Sequence, residues 1–255
     1  MTPNITLTAI PNIPHIRPGD DLAQLVYQAL SAAQLQLQNG DVLVFAQKIV
    51  SKAEGRMVAL DDVRPGAKAL EVAEKTAKDP RVVELILQES QEISRMRPGV
   101  LIVRHRLGFT SANAGVDRSN VQQEGGREMV LLLPADPDGS AARLRQQILA
   151  KSGAEVGVII ADSHGRPFRL GTVGVAIGVA GLPALWDRRG EADLYGYRLQ
   201  HTDVGLADEL AAAAGLLLGQ AAEGIPVVLV RGARLPAGHG TARDLIRSKE
   251  VDLYR

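Results

Sequence analysis

VGVIIADSHGRPFR, residues 156–169, begins with a run that is apolar at nearly every position and then turns abruptly polar. A strand with one wet face alternates apolar and polar residues, so a run without alternation reads as a strand covered on both faces. Residues 156–161 are therefore expected as a buried strand whose end delivers Asp162, Ser163, His164 and Arg166 to a loop. Adjacent Ser and His do not make a nucleophilic triad, because a triad is defined by roles in space. The next stretch, LGTVGVAIGVAG at 170–181, has glycine at 171, 174, 178 and 181 but matches neither GxxxxGK[ST] nor GxGxxG. Those glycines are read as allowing close backbone packing.

Further strands are expected at residues 5–10, 42–46 (VLVFA), 100–106, 128–133 and 225–230. Helices are expected after a cap at Asp20 or Asp21, with Leu22, Leu25, Val26, Ala29, Leu30 and Ala33 on one apolar face. Others cover 66–78, start at Asp79-Pro80, and run from a Ser140 cap to about Lys151. Another extends from Thr202 or Asp203 to about Gly219, and a short helix follows Gly238. Strands and helices mix without strict alternation, which favours an α+β fold of two lobes over a regular doubly wound sheet.

Lys plus Arg equals Asp plus Glu at 29 each, so no basic excess points to nucleic acid. Three Phe, four Tyr and one Trp are too few for a stacking surface for single strands. The absence of cysteine excludes disulfides, thiolate metal sites and a cysteine nucleophile. The first 21 residues have no signal-peptide pattern, and the longest apolar runs, such as 210–218, are short of a bilayer span. A soluble, cytoplasmic protein without a membrane partner is expected, with 255 residues sufficing for one large domain or two modest ones.

FTSANAGVDRSN, residues 109–120, is the counterpart of the 161–169 stretch: each sets one acidic residue, Asp117 or Asp162, among small, polar and basic neighbours beyond an apolar run. One or two carboxylates, completed by water and substrate phosphate, are the usual holders of Mg²⁺. From the pattern alone, an Asp that caps a turn is the commoner explanation. Lys48, Lys52 and Ser51 near a strand exit suit phosphate oxygens or a solvated edge. Arg104 and Arg106 share a strand face. They join Arg166 and Arg169 as candidates to grip an anionic substrate. Gln220 and Glu223 offer oxygen ligands or an ordinary helix-to-strand turn.

AIPNIP (9–14), VFAQKIVSKAEG (44–55), SANAGVDRSN (111–120), IIADSHGRPFRLGTVGVAIG (159–178) and GQAAEGIPVVLVRG (219–232) occur in an order that resembles the coenzyme F420-0:L-glutamate ligase (gamma-glutamyl ligase) family, over essentially the full length. The resemblance implies GTP-dependent addition of L-glutamate, then further gamma-linked glutamates, to the phospholactyl end of coenzyme F420-0 through an acyl phosphate. It implies Mg²⁺ or Mn²⁺, two ions in all, with K⁺ as an additional candidate. Asp117 and Asp162 would hold one divalent ion, and Ser163 and Gln220 a second. Nucleotide contacts would fall on Ile10, Pro11, Asn12, Ile13, Gln47, Lys48, Lys52, Asn120, Leu218, Gly219, Ala221, Ala222, Glu223, Gly224 and Ile225. The implied fold is a two-lobed α+β ligase unit assembling as an intertwined homodimer, without the C-terminal reductase-like domain of some relatives. The competing readings are a metal-dependent nucleotide phosphohydrolase and a GTP-binding module without turnover.

Overall fold

The computed structural model describes residues 2–123 and 125–252. The chain begins with β1 (Thr6–Ala9), α1 (Leu22–Ala32), β2 (Val42–Ala46), α2 (Gln47–Ala53) and β3 (Met57–Ala59). It continues through α3 (Ala67–Thr76), α4 (Pro80–Gln88), β4 (Ser90–Arg97), β5 (Val100–His105), β6 (Thr110–Ala112) and β7 (Met129–Leu131). Then come α5 (Pro137–Ser152), β8 (Gly157–Arg166), β9 (Arg169–Ala180), β10 (Trp186–Asp187), β11 (Asp203–Val204), α6 (Leu206–Leu218) and β12 (Val227–Arg231). This is a mixed α+β fold. Among the described residues no helix is long and apolar enough to cross a membrane.

The main sheet has the order β1-β12-β2-β8-β9, with β2 and β8 parallel and every other neighbour antiparallel. Both faces are covered. Leu43, Phe45, Val158, Ile160, Val227 and Leu229 pack towards α1, α2 and α5, whereas Val42, Val44, Ile159, Ala161, Val228 and Val230 pack towards α6. The two-residue alternation of strand side chains therefore lands on apolar ground at every position, which is why these strands read as continuous apolar runs. Phe45 is fully buried. Phe45→Ala is expected to destabilise by about 3–5 kcal/mol, read as a lowered urea midpoint with an unchanged slope; a loss under about 1 kcal/mol would mean that the site collapses around the gap.

Local chemistry fixes the helix starts. Asp21 accepts from Gln24 N at 2.9 Å and Asp79 from Arg81 N at 2.8 Å, with Pro80 in the first turn. The cap of α5 is Asp136, which accepts from Gly139 N at 3.1 Å, and not Ser140. Ser140 lies one turn inside and donates to Asp136 O, because Pro137 supplies a better first helical residue. α6 starts at Leu206, later than the sequence indicates, since Asp203 is spent on pairing with Asp187 in β10-β11.

Two glycines on β9 let helices approach. A Cβ at Gly174 would lie 2.5 Å from Ala211 O on α6, and one at Gly178 would lie 2.4 Å from Pro137 O on α5. Backbone cannot retreat as a flexible side chain does, so these positions are closed to any larger residue.

Residues 57–133 intervene between α2 and α5. They carry β3 paired with β7, the three-stranded sheet β4-β5-β6, and α3 and α4. Ala69, Val72, Val83, Ile86, Leu101 and Val103 form their own apolar cluster. β3, β4 and β6 lie outside the strands expected from sequence, and the stretch 109–120, beyond the expected strand at 100–106, holds β6 and a tight turn.

Candidate active site

Parallel pairing sets the ends of β2 and β8 side by side, with Ala46 opposite Ala161. Past Ala46 the chain enters α2 at once, so Gln47, Lys48 and Lys52 are helical and not part of a strand edge. Past Ala161 the chain does not loop: β8 runs on to Arg166 and pairs with β9, so Asp162 stands in a strand. A register shift between Ile160 and Ala161 immediately precedes it. Such bulges re-aim the side chains that follow. The β9 amide next to the irregularity, Ala176 N, donates to Asp208 Oδ1 at 2.8 Å.

β12 starts at this same end. Ala46 N donates to Pro226 O at 2.8 Å, and Ile10 N to Val227 O at 3.0 Å. Residues 10–13, the start of α2 and residues 225–227 are thereby gathered. Asn12 has a left-handed backbone, φ 59°, at an exposed position.

α2 also grips the 117–120 turn. Lys48 Nζ lies 2.7 Å from Asp117 Oδ2 and donates to Ser119 Oγ at 2.5 Å and Ser119 O at 3.0 Å. Asp117 Oδ1 accepts from Ser119 N at 2.7 Å, and its backbone exchanges two hydrogen bonds with Leu131. Burial pushes the Asp117 carboxyl upward, but the bonds from Lys48 and Ser119 outweigh it and hold the group below its ordinary range. Lys52 Nζ donates to Asn120 O at 2.7 Å, and burial together with the Lys48 charge lowers its ammonium. Asn120, at φ 54°, donates from Nδ2 to Ala221 O at 2.8 Å and so ties this turn to the 219–224 loop. In that loop Ala221 N donates to Glu223 Oε2 at 2.8 Å, and backbone N–H groups hold the Glu223 carboxyl below its ordinary range. Ala221, Ala222, Glu223 and Gly224 are exposed, as is Gln220; Leu218, Gly219 and Ile225 are half-buried.

Asp162 Oδ2 is 3.0 Å from His164 Nε2. The strand pleat puts those two side chains on one face and Ser163, which is exposed, on the other. Among the described residues no three His, Cys, Asp or Glu side chains gather as a metal cluster. Asp117 and Asp162 each offer carboxylate oxygens of the type that, with water and substrate completing the shell, would hold a Mg²⁺-like ion. The donors fit a hard divalent cation, and Asp117 already holds positive charge in the form of the Lys48 ammonium.

The arginines separate. Arg106 is spent on Glu89 at 2.8 Å and on Ala135 O at 3.1 Å, while Arg104 Nε reaches Gly108 O at 3.3 Å. Arg166 donates to Leu170 O at 3.0 Å across the hairpin, and Arg169 is exposed beside its tip. Phe109 and Glu89 were not singled out as site residues. The Asp162-x-His164 spacing would have exposed the His164 contact had the stretch been read as a strand, because positions two apart share a face.

The model of the F420-0:Gamma-glutamyl ligase family matches residues 11–232. The chain is 47% identical over 255 residues to "Coenzyme F420:L-glutamate ligase" of Methanothermobacter thermautotrophicus, covering 98% of this chain and 99% of the relative. It is 48% identical over 223 residues to the protein of the same name from Methanocaldococcus jannaschii, covering 88% of each. To the Methanopyrus kandleri protein, again of that name, it is 47% identical over 257 residues, covering 99% of this chain and 98% of the relative. With a fold that assembles the matched stretches at one end of one sheet, this chain belongs to the F420-0:gamma-glutamyl ligase family.

Proposed function

We propose that this chain is a GTP-dependent ligase that adds L-glutamate, once or repeatedly through gamma linkages, to the phospholactyl carboxylate of coenzyme F420-0. The acid and the amine come from the relatives' names. The nucleotide half rests on one observation: α2 presents two lysines, 48 and 52, to the turn that carries Asp117 and Asn120, beside the 219–224 loop.

A carboxylate accepts an amine only after activation, and transfer of the GTP γ-phosphoryl group makes an acyl phosphate, with GDP leaving. The glutamate amine then attacks the acyl carbon and phosphate departs. Lys48 and Lys52 supply positive charge to the phosphates, Lys48 exchanging its bond to Asp117 for a phosphate oxygen. Asp117 and Asp162 would hold a divalent ion, Mg²⁺ or Mn²⁺, which supplies neutralisation of the charge on the transferred group. Ser163 and Gln220 would serve a second ion, and K⁺ stays a candidate. Residues 10–13, Gln47, Asn120 and 218–225 position the nucleotide, and positioning alone is worth roughly 7–11 kcal/mol.

Assembly as a two-lobed unit in an intertwined homodimer accompanies this reading. The support is apolar surface on two projecting hairpins: Phe168 and Leu170 on one, Leu194 and Tyr195 on the other, each at least 95% exposed. A cytoplasmic location goes with the same reading.

The test is incubation with GTP, Mn²⁺, L-glutamate and the glutamate-free deazaflavin, followed by mass spectrometry. A gain of one or more glutamyl masses is expected. GTP consumed without that gain would make the protein a phosphohydrolase, and GTP bound but unconsumed a binding module.

A further inference from the structure

His164 has an open side. A cavity of about 190 Å³ lies against it, lined by Phe109, Val175, Ile177 and Ile246 and by the carboxylates Asp138 and Asp208. Phe109, itself a wall of that cavity, lies against the ring at a centroid distance of 4.9 Å and a tilt of 49°. Phe109 is in turn stacked on His105 at 5.0 Å and 6°. Centroid separations of this size are those of attractive aromatic pairs.

The far end of this stack is enclosed. His105 is fully buried, and its Nδ1 accepts from Leu107 N at 3.0 Å. Its Nε2 lies 3.5 Å from Glu89 Oε2, and Glu89 is clamped by Arg56 at 2.9 Å and Arg106 at 2.8 Å. His105 N also donates to Phe109 O at 2.8 Å, closing the turn that carries the phenyl ring.

We propose that Phe109 is a positioning residue for the Asp162 carboxylate: stacked on the anchored His105, its ring keeps His164 out of the cavity and in its hydrogen bond to Asp162. The proposal deepens the ligase reading, in which Asp162 is a metal ligand. Groups that hydrogen-bond a ligating carboxylate from behind set its orientation, and losing them commonly costs 10–100-fold in metal affinity.

The experiment compares wild type with Phe109→Leu, Phe109→Tyr, His164→Ala and the Phe109→Leu/His164→Ala double variant. Two readouts are used: the slowly exchanging imidazole N–H proton of His164 in the NMR spectrum, assigned by its loss in His164→Ala, and Mn²⁺ affinity from paramagnetic resonance. Leu keeps the apolar bulk and removes the planar face. Phe109→Leu should lose the protected proton and bind Mn²⁺ about tenfold more weakly, and Phe109→Tyr should restore both. The double variant should bind no more weakly than His164→Ala, since residues that act through one another are non-additive. A protected proton in Phe109→Leu, or additive losses in the double variant, would overturn the proposal. If wild type takes up no Mn²⁺, the metal role of Asp162 falls, and the proton readout still decides whether Phe109 holds His164.

Discussion

Asp162→Asn is expected to lower kcat for glutamate addition by roughly 10³-fold and to leave the protein folded. Asn keeps the size and one oxygen of the carboxylate but not its charge. The stabilisation of developing phosphoryl charge by a metal is worth several kcal/mol, and each 1.36 kcal/mol is a decade in rate. The fold does not need that charge. Asp162 reaches His164 with its side chain, while the β8 ladder is backbone and unaffected. The melting temperature should therefore move by no more than a few degrees, the equivalent of about 1 kcal/mol in a chain of this size. Asp117→Asn should lose activity too, together with the ion pair to Lys48. That pair is partly solvated and worth at most about 1 kcal/mol. Turnover within tenfold of wild type in Asp162→Asn would remove Asp162 from the proposed metal site.

Glu89→Gln should remove a component of stability that depends on pH. The Glu89 side chain is 11% exposed. Burial pushes its carboxyl up, but His105, Arg106 and Arg56 together hold it down at about 2 instead of 4.5. An unfolded chain takes up the proton near 4.5 and the folded one only near 2, so the contribution is present above pH 4.5 and is lost as pH falls through 2. At about 1.4 kcal/mol per pKa unit the full contribution is about 3–4 kcal/mol, and about 40% of it remains at pH 3. Urea unfolding of wild type and Glu89→Gln should differ by about 2–3 kcal/mol at pH 7 and by clearly less at pH 3. A difference constant across that range would assign the loss to packing and not to charge.

How much of this was legible depended on what each stretch leans on. Residues 42–46 and 158–161 lean on apolar contacts from two sides, and composition reports that directly; the five residues of β2 fall where the sequence sets them. α4 was equally plain because Asp79-Pro80 is a cap and first turn written in adjacent residues. β4, SQEISRMR, was invisible: it is largely exposed and held by its backbone ladder to β5, a partner that no local pattern announces. The outer half of β8, DSHGR, was hidden for the same reason, its strand state coming from pairing with β9. The α5 cap was misread because Asp136 and Ser140 are both good caps, and Pro137 decides between them. The two Asp stretches were visible as chemistry. That α2 reaches both 117–120 lysine contacts, and that Phe109 lies against His164, are facts of tertiary packing that no spacing contains.

The pairing of the first strand with the last sets the order in which this protein can be made. β12 occupies the place between β1 and β2, joining Thr6 to Arg231 and Val42 to Val230. While the chain emerges from the ribosome, β1 has no neighbour and β2 keeps one edge open until residue 231 has appeared. Contacts of such sequence separation close late and slowly. Ile10 is tied to Val227 and Ala46 to Pro226, so this end of the sheet is among the last parts to close. A nascent chain thus carries both lysines and both aspartates long before the sheet that gathers them is closed, and whatever that end of the sheet does begins only with the finished fold.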